Sequence, residues 1–117
     1  MKVTRVYGDE AGETRLVEVE IDVGFGSPIP SVAIRIVPGA QPHGDFHAAP
    51  ARGLVAALCG EFEIVATNGD RKRFTPGEWL LADDVGAKGH STRRIGPEVQ
   101  LLHCALPDDW NGWRLPG

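Results

Sequence analysis

No run of about 18 apolar residues occurs anywhere in this sequence, so none of it has the character of a membrane-spanning helix. The opening residues, Met1 to Glu10, lack the apolar stretch of a signal peptide, and a cytoplasmic location is the default expectation. Positive charge is scarce. Twelve Lys and Arg stand against sixteen Asp and Glu, a formal net charge of -4, which leaves no broad cationic field for phosphates and argues against nucleic acid as a partner. The dense basic runs, Arg71 to Arg73 and Arg93-Arg94, read as solvated sides of strands or loops, with a grip on an anionic ligand as the minor reading. Cysteine is nearly absent. Cys59 and Cys104 each end an apolar run and form no Cys-x-x-Cys pair, which reads as two buried free thiols rather than a disulfide or metal site. Uninterrupted sequence is also rare: 15 Gly and 9 Pro are spread so evenly that few windows remain for a helix without a breaker inside it.

What is present is alternation. Val17, Val19, Ile21 and Val23 alternate with Glu18, Glu20 and Asp22, a period of two that gives a strand one apolar and one acidic face. The pattern returns at Val32, Ile34 and Ile36, and with less contrast over 62–67 and 99–106. Turn signals separate these runs, among them Asn68-Gly69, Pro76-Gly77, Gly86 to Gly89 and Gly96-Pro97; Asn68-Gly69 suits a type I′ hairpin. The segment from Ala48 to Cys59 is rich in Ala and Leu, but Pro50 and Gly53 weaken a helix, and Gly60-Glu61 points to a central strand turning directly into the strand at 62–65. At 117 residues one core is expected, so the chain reads as a single all-β domain, a sandwich or barrel, spanning 1–117. The tail, 107–117, carries Trp110 and Trp113, rings expected to cover a sheet edge or a subunit contact.

Four stretches carry a resemblance. They are Asp45 to Arg52, Leu58 to Glu61, Phe74 to Leu81 and Asp83 to His90, within about 45–93. Together they resemble the two strand-turn-strand motifs of small single-domain cupins, and the resemblance implies a jelly-roll β-barrel (a double-stranded β-helix). It also implies a divalent metal, Fe, Zn, Mn or Ni, held inside the barrel by histidines and a glutamate. His47 and His90 match that pattern. Asp45 stands where the first histidine would be, and Arg52 or Gly53 where the glutamate would be. Residues two apart on a strand face the same way, so Asp45, His47 and His90 remain as a metal set of two imidazoles and one carboxylate. An inward Arg52 would instead favour an anionic ligand.

The expected role is therefore to bind or transform a small molecule, anionic if Arg52 serves it, in the barrel pocket. His47 and His90 are the catalytic candidates, with Arg52 positioning a carboxylate or enolate. Asp45, Gly53, Asp84 and His103 are the further pocket candidates, and Gly53 predicts a roomier cavity on its side. Each has a plainer reading. His103 suits a hydrogen-bonded core histidine, His43 an exposed loop, and Asp84 a carboxylate accepting backbone N–H groups, against the sharper role of orienting His90. A non-catalytic module that binds or senses a ligand without metal is the alternative function, and a homodimer formed through outer sheet faces is the expected assembly.

Overall fold

Alternating side chains and frequent turn residues produce strands throughout a computed structural model, which describes residues 1–38, 46–49 and 51–116. In chain order they are β1 (Lys2–Gly8), β2 (Thr14–Ile21), β3 (Ala33–Pro38), β4 (Gly53–Ala66), β5 (Arg71–Phe74), β6 (Trp79–Asp83), β7 (His90–Ala105) and β8 (Trp113–Arg114); no helix occurs among the described residues. The chain is all-β. Its strands form one sheet in the order β3-β7-β4-β6-β1-β2-β8, with β5 paired to β4. The path has two ends, so the described hydrogen bonding does not close the sheet. Nearly all pairs are antiparallel, and β1 with β6 is parallel. No helix of the described residues is long and apolar enough to cross a membrane.

Two long strands give the sheet its shape. At Gly60 the β4–β7 register slips, and Gly60 has φ +75° with Glu98 O lying 2.1 Å from where a Cβ would stand. Only glycine fits so close an approach. The slip also changes which residues face inward. Before it the odd-numbered Val55 and Ala57 enter one core; after it the even-numbered Phe62 and Ile64 join the same core, with Val6, Phe74, Leu80, Val99 and Leu101. Both halves of β4 thus wrap a common interior, with Phe62 and Phe74 stacked at 4.8 Å between centroids. Gly60-Glu61 and Gly96-Pro97 are therefore bends inside continuous strands, not the turns between strands that their residue types suggest.

A second core lies on the opposite face of the sheet. Val3, Val19, Ile21, Leu54, Leu81 and Leu106 form it, and Trp79, Trp110 and Trp113 pack against it. The C-terminal segment thus covers an edge: Trp113 pairs with Ile21 on β2, and the Arg5 guanidinium stacks 4.1 Å from its ring centroid. Other local expectations are corrected. Asn68 keeps a negative φ and Gly69 alone is left-handed (φ +95°), whereas a type I′ turn needs both positive. Gly69 N–H instead donates to Ala66 O, while Asn68 and Asp70 bond to each other. Cys59 is exposed and Cys104 half-buried, because Cys59 sits in the bulge. Val23 lies past the end of β2 and is exposed, as are Val32, Ile34 and Ile36.

Candidate functional site

The inner face of the bent sheet leaves a cavity of about 150 Å³ lined by aliphatic residues and Phe62, with His47, His90, His103 and Thr92 as its polar side chains. His47 and His90 are 43 positions apart in sequence and adjacent in space. Their backbones form an antiparallel bridge, each N–H donating to the other's carbonyl at 2.9 Å, and their ring centroids are 5.1 Å apart. His90 is buried and His47 is exposed, which puts His47 at the cavity mouth and His90 within.

This approach depends on Gly89. Its φ is +103°, and a Cβ there would lie 2.2 Å from the carbonyl carbon of His47, a position no side chain can occupy. Thr14, fully buried, secures the same loop by accepting the Gly89 N–H at 2.8 Å, while its own N–H donates to Thr67 Oγ1. Sequence reasoning missed Thr14, because a threonine in an amphipathic strand carries no signal of the loop it meets.

Asp84 fills both roles open to it. It is completely buried, accepts the Ala49 N–H at Oδ1 (3.1 Å) and meets His90 Nδ1 at Oδ2 (2.6 Å). An ionised carboxylate accepts only, so Nδ1 carries the proton and donates. The short distance suits a charge-assisted bond. In neutral His90, Nε2 is then the unprotonated nitrogen on the cavity side, a hydrogen-bond acceptor and proton acceptor of fixed orientation. No described residue bonds to it.

His103 lines the cavity from β7, beside Leu101. Its Nδ1 is buried and unpaired among the described residues. Its Nε2 lies 2.7 Å from where a Cβ on Gly53 would stand. The roomier cavity expected beside Gly53 is therefore not found: the imidazole of His103 occupies that volume, and Gly53 is the residue that admits it.

Arg52 does not line the cavity. Asp83 alternates with the cavity-lining Ala82 and Leu80 on β6, so its carboxylate projects to the opposite face of the sheet, and Arg52 follows it there. Arg52 Nε donates to Asp83 Oδ1 at 2.6 Å and Nη2 to Oδ2 at 3.1 Å, while Nη1 donates to the carbonyls of Asp108 and Trp110. Arg5 donates to the same carboxylate at 2.8 Å. Burial would raise the carboxyl pKa of Asp83, but the hydrogen bonds from Arg52 and Arg5 outweigh it and hold the group below the ordinary aspartate value. This trio fastens the C-terminal segment to β1 and β6, and the guanidinium expected to position an anion is committed elsewhere.

Asp45 and His43 lie outside the described residues. Among the described residues no three His, Cys, Asp or Glu side chains converge as a metal's ligand set. The chemistry available to the described residues is that of the imidazoles and Asp84. No family model matches this chain and no curated protein matches it in sequence.

Proposed function

We propose that this protein is a cupin-type jelly-roll barrel that binds or transforms a small molecule in the cavity ringed by His47, His90 and His103. The observation that carries the reading is the buried Asp84–His90 pair, 2.6 Å long, set against a largely apolar cavity. Burying a carboxylate costs desolvation free energy, and a buried carboxylate that orients an imidazole beside a cavity is an arrangement typical of functional sites. His90 Nε2 is placed to accept a hydrogen bond from a ligand or to remove its proton, and Asp84 stabilises the imidazolium that results. His47, at the mouth, is the second proton-carrying group, and it stands where a molecule would enter.

The non-catalytic reading draws support from Arg52. With that guanidinium bound to Asp83, no fixed cation lines the described cavity to stabilise a developing anion, and a pocket so built serves recognition as readily as reaction. An assembly is part of the proposal: Ile34 and Ile36 present an apolar face, 67% and 66% exposed, on the end strand β3, where a second copy would cover it.

The test is a protein-detected NMR titration of the full chain with a set of small molecules, followed by His47→Ala and His90→Ala. Shift changes confined to residues around the three histidines, and an affinity at least about tenfold weaker in His90→Ala, are expected, since one hydrogen bond to a buried group is worth roughly 1 to 2 kcal/mol. Binding that maps elsewhere, or is unchanged in both variants, would refute the reading. Turnover of a bound molecule that stops in His90→Ala would separate enzyme from binding module.

A further inference from the structure

The reading that this cavity binds a small molecule leaves the kind of molecule open, and the walls narrow it. Six of the lining residues, Val37, Val55, Phe62, Ile64, Leu80 and Leu101, are large and apolar, and among the described lining there is no Lys, Arg, Asp or Glu. Arg52 is occupied by Asp83 on the opposite face, and Arg35, opposite His103 in the β3–β7 register, is exposed and outside the lining. An anion entering here would give up its hydration against aliphatic side chains, which costs several kcal/mol when no partner replaces the water. His90 offers no net charge in compensation, because Asp84 balances it if it protonates. A space of about 150 Å³ with such walls takes a molecule the size of a benzene ring.

The polar contacts set the other requirement. Asp84 keeps the proton of His90 on Nδ1, so Nε2 accepts and a complementary ligand must donate. Nδ1 of His103 is a second buried nitrogen without a partner among the described residues, and an unpaired buried polar atom is costly until something bonds to it.

We infer that the cavity takes an uncharged molecule of single-ring size whose polar group is a hydroxyl donating to His90 Nε2. This rests on the cavity being the binding site and specifies its ligand class. The assignment predicts a ranking rather than one affinity: a phenol above the bare ring, and the ring carboxylate below both.

The test uses benzene, phenol and benzoate as probes, titrated at pH 8 into the full chain and followed by protein NMR. Phenol is expected to bind about tenfold tighter than benzene, the size of one net hydrogen bond, and benzoate at least about tenfold weaker than phenol. In Asp84→Asn the amide oxygen is held by the Ala49 N–H, so the amide N–H faces Nδ1 and moves the imidazole proton to Nε2. Benzene binding is expected to persist there, and the phenol advantage to fall by at least about threefold, because the phenol then has only its weakly basic oxygen to accept from Nε2–H in place of its strong O–H donor. Should Asp84→Asn lose benzene binding as well, His90→Leu, which removes the acceptor at similar volume, supplies the comparison, with the phenol advantage expected to disappear. Benzoate binding as tightly as phenol, phenol no better than benzene, or an undiminished phenol advantage in the variant would overturn the ligand class while leaving the cavity as a binding site. Failure of all three probes to shift any cavity residue at about 10 mM would overturn the cavity reading itself, and the ligand class with it.

Discussion

Replacing Asp84 separates a structural carboxylate from one that directs an imidazole, because its two oxygens have different partners. In Asp84→Ala the Ala49 N–H and His90 Nδ1 both lose their acceptor within a site that is fully buried at Asp84. Each unsatisfied buried group costs about 1–3 kcal/mol, so Asp84→Ala is expected to lose roughly 2–5 kcal/mol in urea denaturation, a large part of the stability of a domain this size. Asp84→Asn retains a polar partner for both groups and exchanges a charge-assisted bond for a neutral one, a loss of about 1–2 kcal/mol. The discriminating measurement is the ¹⁵N spectrum of the His90 ring. In the wild type at pH 8 the proton resides on Nδ1; in Asp84→Asn it resides on Nε2, while His103 is unchanged. A structural role alone would reproduce the stability losses and leave the tautomer where it was. A loss below about 0.5 kcal/mol in Asp84→Ala, or the same His90 tautomer in wild type and Asp84→Asn, would refute the reasoning.

Three other perturbations probe separate parts of the molecule. Gly89→Ala forces a methyl into the His47 backbone at a left-handed φ, and is expected to cost more than about 2 kcal/mol and to abolish the slow amide exchange of His47 and His90; wild-type protection in the variant would contradict the close approach. Asp83 has a lowered carboxyl pKa in the fold, so its contribution is complete above the unfolded value of about 3.9 and is lost as pH falls through the folded value. Asp83→Asn should therefore destabilise by about 3 kcal/mol at pH 7 and by progressively less below pH 4, and a penalty that is constant from pH 7 to pH 2.5 would be inconsistent with the ion pair. If β3 is covered by a second copy, Ile36→Lys shifts sedimentation of the full chain from dimer to monomer at tens of micromolar, order-of-magnitude conditions for an ordinary interface; a monomeric wild type would remove the assembly.

Much of the strand content was legible because it is local. Val19 and Ile21 alternate with acidic residues, and that spacing alone divides β2 into a buried and a solvated face. The same rule misread Val32, Ile34 and Ile36, since alternation reveals that a strand has an apolar face and not whether anything covers it. Gly60 and Gly96 were legible as special backbone positions but not as bends, because a turn and a bulge make the same demand for positive φ. Within the site, Asp84 and His90 lie six positions apart and their pairing could be anticipated. Thr14 and Gly89 are 75 positions apart, and no local pattern joins them.

The sequence by itself determined an all-β chain, since side-chain period and the conformational limits of glycine and proline are properties of neighbouring residues. Tertiary structure decided what each polar residue is for. Strand register carried Arg52 and Asp83 to the face opposite the cavity, seated His103 against Gly53, and brought His47 beside His90. Those outcomes depend on hydrogen bonds between strands distant in the chain, where a one-residue change of register reverses the face on which every side chain lies.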